Sequence, residues 1–228
     1  MNIYRISKKE PHHKPLTQRC IILDLDETLV HSSEDYIKLM TLQPFNDPVM
    51  LDLRSRMYNL SLDSYIKPPT VWGVTRPYTE DFLLFCFGYF SKVCVWSAGT
   101  PEYVRKIVDE IFPSGYKPDV VYNRSHCYYT QEGDIFKPIK IMARDENLEK
   151  ILRLDNTLFL DDRPQAFLKN PDNGIVIPAY EPDETYESYV QDDTALPELM
   201  DWLLQPEVLR TSDVRLLDKT KIFSSQFM

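Results

Sequence analysis

Two aspartates one residue apart, Asp24 and Asp26, follow directly on an apolar run that begins at Cys20. The run is rich in isoleucine and leucine and predicts a buried strand, which places both carboxylates at its C-terminal end. In open α/β sheets, ligands bind at that end of the strands. Carboxylates so close together repel each other unless a cation or a proton neutralises them. The pair therefore predicts a nucleophile and an acid or base beside a hard cation such as Mg²⁺ and a phosphate group.

A strand that ends in a solvated acidic turn is the alternative interpretation, and an isolated Asp-x-Asp pair would favour it because short motifs recur by chance. A second strand end argues against chance. An apolar run reaches Ser97, and Thr100 followed by Pro101 is typical of a helix N-terminus. A hydroxyl and the first backbone N–H groups of a helix can bind phosphate oxygens. Taken alone, however, this serine could equally be an ordinary loop residue.

A lysine and a second acidic strand end complete the set. Lys137 stands just before a proline, and a lysine at such a junction is usually only solvated. A third apolar run, however, ends in Asp161 and Asp162. Two acidic strand ends, a hydroxyl and a cation are together typical of a site that binds Mg²⁺ and a phosphoryl group.

The order of these motifs resembles the haloacid dehalogenase superfamily. The closer similarity is to its branch of RNA polymerase II C-terminal-domain phosphatases, and the small C-terminal-domain phosphatases are nearest. The resemblance spans roughly residues 19–204, and its most specific stretch is Asp-Leu-Asp-Glu-Thr-Leu-Val-His from Asp24. The other matching stretches are 76–77, 96–98, 124–137 and 160–167.

Strands and helices are predicted to alternate along the chain, which is typical of a parallel sheet with helices on both faces. The predicted strands are 20–25, 92–97, 119–122, 157–161 and 174–178. The predicted helices are 78–90, 101–112, 138–152 and 194–204, with a further one over 207–218. We therefore predict an α/β fold with a doubly wound, mainly parallel sheet. The resemblance implies a haloacid dehalogenase-like Rossmannoid core with a small insertion after the first strand.

The length of 228 residues fits one large domain. We expect a flexible N-terminal arm over 1–17, a phosphatase domain over 18–206 that includes the insertion 31–74, and a C-terminal extension over 207–228. A run of acidic residues predicts a surface loop over 181–193.

Composition limits the partners. The net charge of −9 argues against strong nucleic-acid binding, and the four single cysteines indicate reduced thiols rather than a zinc site. The longest apolar run is too short to span a bilayer, and the N-terminus lacks the apolar core of a signal peptide. We therefore expect an intracellular protein, nuclear or cytoplasmic, with no membrane contact.

The resemblance implies roles for the residues at the strand ends. Asp24 attacks phosphorus and forms an aspartyl-phosphate. Asp26 protonates the departing oxygen and later deprotonates the attacking water. Ser97, which stands where the family often has threonine, and Lys137 hold the phosphate oxygens.

Mg²⁺ is the implied cofactor. Its predicted ligands are the Asp24 carboxylate, the backbone carbonyl of Asp26 and Asp162, while Asp161 orients neighbouring ligands or a metal-bound water. Asp162 and Arg163 stand where the family commonly has asparagine and serine, so the site carries one more negative charge, which the arginine can offset.

The insertion should lie over the mouth of the site, because it leaves the chain soon after Asp26 and ends just before Arg76. The resemblance implies an apolar pocket there for a phosphopeptide with a nearby proline, and Trp72 or Tyr58 would suit such a ring. The predicted substrate-binding residues are Thr28, Tyr58, Trp72, Arg76 and Ala98. The alternative is that the apolar residues only pack the insertion onto the core.

Three classes of function remain open at this point. The first is a phosphoserine/phosphothreonine protein phosphatase of the RNA polymerase II C-terminal-domain type. The second is a non-catalytic phosphopeptide-binding scaffold, which the complete set of candidate catalytic residues disfavours. The third is a phosphatase of small molecules or nucleic-acid ends, and the acidic charge disfavours the nucleic-acid variant.

Overall fold

The computed structural model describes residues 14–35, 51–62, 70–182, 188–189 and 192–223. Most of the predicted N-terminal arm, the middle of the insertion and part of the predicted acidic loop lie outside the described residues.

All five predicted strands are present, and the described residues contain five further strands that were not predicted. The strands are β1 (Cys20–Leu23), β2 (Val30–Ser33), β3 (Met57–Ser61), β4 (Thr70–Thr75), β5 (Lys92–Trp96), β6 (Val120–Tyr122), β7 (Tyr128–Tyr129), β8 (Ile135–Phe136), β9 (Thr157–Asp161) and β10 (Gly174–Val176). The predicted ones are β1, β5, β6, β9 and β10. The α-helices are α1 (Leu51–Arg56), α2 (Thr79–Tyr89), α3 (Pro101–Ile111), α4 (Ile139–Met142), α5 (Ala195–Leu203) and α6 (Pro206–Arg210).

The central sheet has the strand order β10-β9-β1-β5-β6, and its described pairs are parallel. Alternate side chains of β1 lie on opposite faces of the sheet. Ile21 and Leu23 pack into one buried cluster, whereas Cys20 and Ile22 pack into another. Because both faces are covered, the strands are mainly apolar, and the polar residues of β5 and β9 stand at their ends. This arrangement confirms the predicted doubly wound α/β fold.

The insertion contributes a small antiparallel sheet in the order β2-β4-β3. The chain leaves β1 through a tight turn in which Glu27 has a φ of 55°, and β2 begins directly afterwards. The N–H of Arg76, just beyond β4, donates to the carbonyl of Leu29 at 2.8 Å. The small sheet is therefore held against the turn that carries the acidic motif.

Two predicted helices are wrong in extent. The helix predicted over 138–152 ends at Met142, because the side chain of Asp145 accepts a hydrogen bond from the N–H of Asn147 at 3.0 Å and so forms a turn. The helix predicted over 207–218 is divided. Asp213 accepts a hydrogen bond from the N–H of Arg215 at 3.0 Å and begins a separate 3₁₀ turn after α6.

The C-terminal segment packs on the main core. Val208, Val214 and Phe223 are buried in the cluster that covers one face of the sheet. The buried guanidinium of Arg19 donates to the carbonyls of Val208 and Thr211, which joins the segment to the start of β1.

Candidate active site

The predicted strand-end residues meet at one edge of the central sheet. Leu23 is in register with Val95 on one side and with Leu160 on the other. Asp24 and Ser97 follow β1 and β5, and Asp161 is the last residue of β9. The carboxyl ends of three neighbouring parallel strands thus bring these side chains together, as the motif order predicted.

Lys137 lies between two carboxylates. Its Nζ donates to Oδ1 of Asp24 at 2.6 Å and to Oδ2 of Asp161 at 2.7 Å, and the side chain is buried. Burial lowers the pKa of Lys137, but the two carboxylates more than offset this effect and raise the pKa above its ordinary value. The lysine therefore stays charged and partly neutralises the acidic site.

Three aspartates form a cluster whose donor atoms fit a hard divalent cation. One carboxylate oxygen from each of Asp24, Asp161 and Asp162 lies within 4.8 Å of the other two. Burial raises the pKa of Asp24, and burial followed by the neighbouring Asp161 raises the pKa of Asp162 to about 6. Oxygen ligands with this excess of negative charge suit Mg²⁺.

Asp161 has partners at both carboxylate oxygens. Oδ2 accepts from Lys137, and Oδ1 accepts from the N–H of Arg163 at 2.9 Å. These contacts are compatible with the orienting role predicted for Asp161, although its carboxylate also belongs to the cluster that could hold a metal ion.

Thr28 has a different position from the one that the sequence predicted. The predicted substrate-binding residue is fully buried, its hydroxyl donates to Oδ1 of Asp162 at 3.4 Å, and it accepts from the N–H of Asp162 at 3.2 Å. Both contacts hold Asp162, so the residue supports the acidic cluster rather than facing a substrate.

The carboxylate of Asp26 lies outside the acidic cluster, although the residue lines the same cleft. Its Oδ1 accepts from the hydroxyl of Tyr103, and its Oδ2 accepts from the hydroxyl of Ser97 at 3.2 Å. Ser97 is fully buried and also accepts from the N–H of Gly99 at 2.9 Å, so its hydroxyl has protein partners on both sides. Burial raises the pKa of Asp26, which favours the protonated form that an acid requires.

Tyr103 is a site residue that no sequence motif predicted. The residue lies in the first turn of α3, where the N-cap Thr100 accepts from its backbone N–H at 3.4 Å. A long side chain in the first turn of a helix points back towards the helix N-terminus, and here it reaches the strand ends. Its place in the first turn of a helix that follows a strand end was therefore the one feature of the sequence that could have predicted its role.

Two adjoining cavities open at the strand ends. The catalytic cleft, of about 100 Å³, is lined by the acidic cluster together with Asp26, Lys137 and Arg163. A side cavity of about 330 Å³ shares Asp26 and Ala98 with the cleft. Its other walls include Ser32, Leu62, Val71, Tyr103 and Arg124. Ala98 lies between the cleft and the side cavity, and its substrate-binding role stays a prediction.

Trp72 and Tyr58 do not line the side cavity. Trp72 is buried against Tyr189 on the outer face of the small sheet, and its indole N–H donates to the carbonyl of Asp35 at 2.7 Å. Neighbouring residues of a strand face opposite sides, so Val71, not Trp72, reaches the cavity. Tyr58 is also buried, and its hydroxyl bonds to Ser32 at 2.6 Å.

Arg76 has a structural role, because all its hydrogen-bond partners belong to the protein itself. The predicted substrate-binding guanidinium is fully buried and bonds Asp193 with two nitrogens, at 2.9 and 2.8 Å. A third nitrogen donates to the carbonyl of Thr28 at 3.2 Å. An exposed arginine that the sequence analysis did not single out, Arg124, lines the side cavity instead, with its Nε bonded to the carbonyl of Ala98 at 2.7 Å.

Comparison with known proteins places these features in a family. Residues 19–215 match the model of NLI interacting factor-like phosphatases. A probable C-terminal domain small phosphatase of Dictyostelium discoideum is 26% identical over 215 residues, which cover 92% of this chain and 57% of that protein. The CTD nuclear envelope phosphatase 1 homolog of Caenorhabditis elegans is 30% identical over 208 residues, which cover 89% and 72% of the two chains. The chain spans only about half the length of some relatives, 42% in one Schizosaccharomyces pombe protein.

Solved structures share the fold. A beryllium-fluoride-bound variant of the fission yeast RNA polymerase II CTD phosphatase Fcp1 superposes with a TM-score of 0.57 at 18% identity, covering 81% of this chain and 49% of that chain. Within the described residues, no helix is both long and apolar enough to cross a membrane. The predicted resemblance to the C-terminal-domain phosphatase branch of the haloacid dehalogenase superfamily is confirmed, since the family model matches most of the sequence. The chain belongs to the NLI interacting factor-like phosphatase family.

Proposed function

We propose that this chain is a Mg²⁺-dependent phosphomonoester hydrolase that acts on phosphoserine or phosphothreonine in proteins, with Asp24 as its nucleophile. The observation that carries the proposal is that two neighbouring carboxylates have different hydrogen-bond partners. Asp24 belongs to the acidic cluster and bonds Lys137, whereas Asp26 lies outside the cluster, lines the same cleft and bonds Tyr103 and Ser97. One carboxylate is thus prepared to attack and the other to exchange a proton.

In the first step, an oxygen of Asp24 attacks phosphorus while the bond from phosphorus to the serine or threonine oxygen breaks. The departing oxygen is strongly basic, so Asp26 supplies its proton. The raised pKa of Asp26 is consistent with a proton held there before the reaction. The products of this step are the dephosphorylated hydroxyl side chain, ionised Asp26 and a phosphoryl group on Asp24.

In the second step, water attacks the phosphoryl group and the bond to Asp24 breaks. Asp26, now ionised, accepts the proton of that water and returns to its starting state. Lys137 lies 2.6 Å from Asp24 and is charged, so it can stabilise the negative charge that develops on the phosphoryl oxygens.

The acidic cluster fits Mg²⁺, which Asp24 and Asp162 would hold with their carboxylates and Asp26 with its backbone carbonyl. Bound there, the cation would offset the charge of the carboxylates and of the phosphate. Thr28 keeps Asp162 in position through its two hydrogen bonds.

The side cavity supports a peptide as the substrate. It adjoins the catalytic cleft at Asp26 and Ala98, and its walls combine apolar side chains with the exposed cation Arg124. A peptide whose phosphorylated residue enters the cleft can place a neighbouring proline or aromatic side chain in this cavity. One solved structure of this fold is an RNA polymerase II CTD phosphatase, and one relative is named a probable C-terminal domain small phosphatase. The phosphorylated tail of that polymerase is therefore a suitable substrate class, and a nuclear or cytoplasmic location stays a prediction.

The decisive experiment measures hydrolysis of a phosphoserine peptide and of a generic aryl phosphate with purified protein. We expect activity that requires Mg²⁺, that EDTA removes, and that Asp24→Asn abolishes, because an amide is not a nucleophile towards phosphorus. Replacement of the exposed Asp201 by asparagine is the matched control and should leave both rates unchanged. Turnover by Asp24→Asn would exclude Asp24 as the nucleophile, and turnover in the presence of EDTA would exclude a required metal ion. Peptide binding by the wild type without turnover would indicate a non-catalytic scaffold.

A further inference from the structure

Three hydroxyl groups form a continuous hydrogen-bonded chain that ends on Asp26. The hydroxyl of Tyr58 lies 2.6 Å from Oγ of Ser32, and that oxygen lies 2.7 Å from the hydroxyl of Tyr103. Tyr103 in turn bonds Oδ1 of Asp26. We call these three residues the hydroxyl chain. It joins β3 and β2 of the small sheet to α3 of the core and then to the proposed acid.

The order of donors in the hydroxyl chain follows from chemistry. A carboxyl group accepts hydrogen bonds at both oxygens when it is ionised and still accepts at one oxygen when it is protonated, so Tyr103 can donate to Oδ1 of Asp26 in both states. The oxygen of Tyr103 can then accept from Ser32, and the oxygen of Ser32 can accept from Tyr58. Tyrosine hydroxyls keep their protons at neutral pH, so both tyrosines can donate as this order requires. Every bond is therefore directed towards Asp26.

Two glycines make room for the two tyrosine rings. A Cβ added at Gly73 would lie 2.3 Å from the hydroxyl oxygen of Tyr58, and one added at Gly99 would lie 2.6 Å from a ring carbon of Tyr103. Both distances are far shorter than van der Waals contact, so any larger residue would displace the ring. The absence of a side chain at both positions lets the rings reach their hydrogen-bonding partners.

We propose that Tyr103, Ser32 and Tyr58 are positioning residues that hold the Asp26 carboxylate in the orientation needed for proton transfer to and from the reacting oxygens. The inference rests on the proposed function, in which Asp26 is the acid and base. It adds that the small sheet, through Ser32 and Tyr58, determines the orientation of a group that belongs to the core. Because Ser32 and Tyr103 also line the side cavity, the same residues would be adjacent to a bound peptide.

The kinetic test compares Tyr103→Phe, Ser32→Ala and Tyr58→Phe on two substrates. A phosphoserine peptide has a basic leaving oxygen that needs a proton, whereas an aryl phosphate with an acidic phenol hardly does. We expect Tyr103→Phe to lower kcat about tenfold or more on the peptide and only slightly on the aryl phosphate, since a positioned acid contributes about 10²–10⁴-fold. The losses should decrease from Tyr103 to Ser32 to Tyr58, with distance from the carboxylate.

Two controls separate positioning from general damage. Tyr129→Phe removes the hydroxyl of an exposed tyrosine and should change neither rate. In an Asp26→Asn background, Tyr103→Phe should cause no further loss on the peptide, because there is no carboxylate left to position. Equal losses on both substrates, or full additivity with Asp26→Asn, would overturn the proposal.

Crystal structures give a readout that does not depend on activity. The side-chain torsions of Asp26 should change, or become multiple, in Tyr103→Phe and in Ser32→Ala, and should be unchanged in Tyr129→Phe. An Asp26 carboxylate that keeps its orientation in both chain variants would overturn the positioning role. If the wild-type protein hydrolyses neither substrate, the proposed function fails, and these structures still decide whether the hydroxyl chain positions Asp26.

Discussion

The ammonium nitrogen of Lys137 lies 2.6 Å from Oδ1 of Asp24, and both side chains are buried. The pair brings the proposed nucleophile next to a permanent positive charge without solvent between them. Because Lys137 also bonds Asp161, one cation serves two carboxylates of the acidic cluster. The contact therefore has a structural effect that can be measured apart from catalysis.

Replacing Lys137 with alanine should destabilise the fold by about 3–5 kcal/mol at pH 7.5, the usual cost of leaving a buried charge without its partner. The pKa of Asp24 is already raised by burial and should rise further without the lysine. The folded variant would then bind protons that the unfolded chain has lost, so its stability falls as the pH rises. Urea denaturation at pH 7.5 and pH 5 should show the larger loss at pH 7.5. The control is Lys92→Ala, because Lys92 forms a more exposed pair with Asp119, and an equal loss in both variants would contradict the buried contact.

Asp162 should make the metal-free protein less stable as the pH rises from about 4 to about 6. Its pKa is about 6 in the fold against an ordinary 3.8, so the folded state binds more protons than the unfolded state throughout this window. Asp162→Asn should remove that decline and raise the melting temperature of metal-free protein at pH 7.5 by about 2–4 °C, after allowance for solvent screening.

Mg²⁺ should have the opposite effect on the same protein. Millimolar Mg²⁺ should raise the melting temperature of the wild type at pH 7.5, where the ligands are ionised, and have little effect at pH 5. Asp162→Asn should lose most of this stabilisation, whereas the surface variant Asp201→Asn should keep it. Thermal denaturation with and without Mg²⁺ makes the comparison, and unchanged stabilisation of Asp162→Asn would remove this residue from the metal site.

Asp26→Asn should separate the two proposed aspartate roles. The variant should lose about 10²–10⁴-fold on phosphoserine, whose leaving oxygen needs a proton, and less on an aryl phosphate. Its second role, as the base for water, limits the difference between the substrates. Steady-state kinetics on both esters measures the contrast, and identical losses would count against Asp26 as the acid.

Substrate selectivity should depend on the cavity side of the small sheet. Leu62→Ala removes an apolar wall of the side cavity, so it should raise the KM of a phosphopeptide about fivefold, or about 1 kcal/mol, and leave an aryl phosphate nearly unaffected. Trp72→Ala opens a hole on the opposite face and should cost about 3–5 kcal/mol of stability without that selectivity. Parallel losses on both substrates in folded Leu62→Ala would make the insertion a structural cover and not a peptide site.

The sequence alone determined the doubly wound sheet and the residues that gather at its edge. Asp24, Ser97 and Asp162 were found because each follows an apolar run, and the carboxyl ends of neighbouring parallel strands must meet. Local signals were enough for this result, because a parallel sheet brings the carboxyl ends of its strands to the same edge.

Only the tertiary structure decided which way the other side chains point. Trp72 and Val71 are neighbours in sequence, and the choice between them depends on which face of the small sheet meets the cavity. Arg76 was predicted to bind substrate from the family resemblance. Its actual partner, Asp193, lies 117 residues away along the chain, and no local pattern reveals that contact. The contacts of Tyr103 with Asp26 and Ser32 also join distant segments. Hydrogen bonds between distant residues are set by how the layers pack, and periodicity in the sequence does not encode that packing.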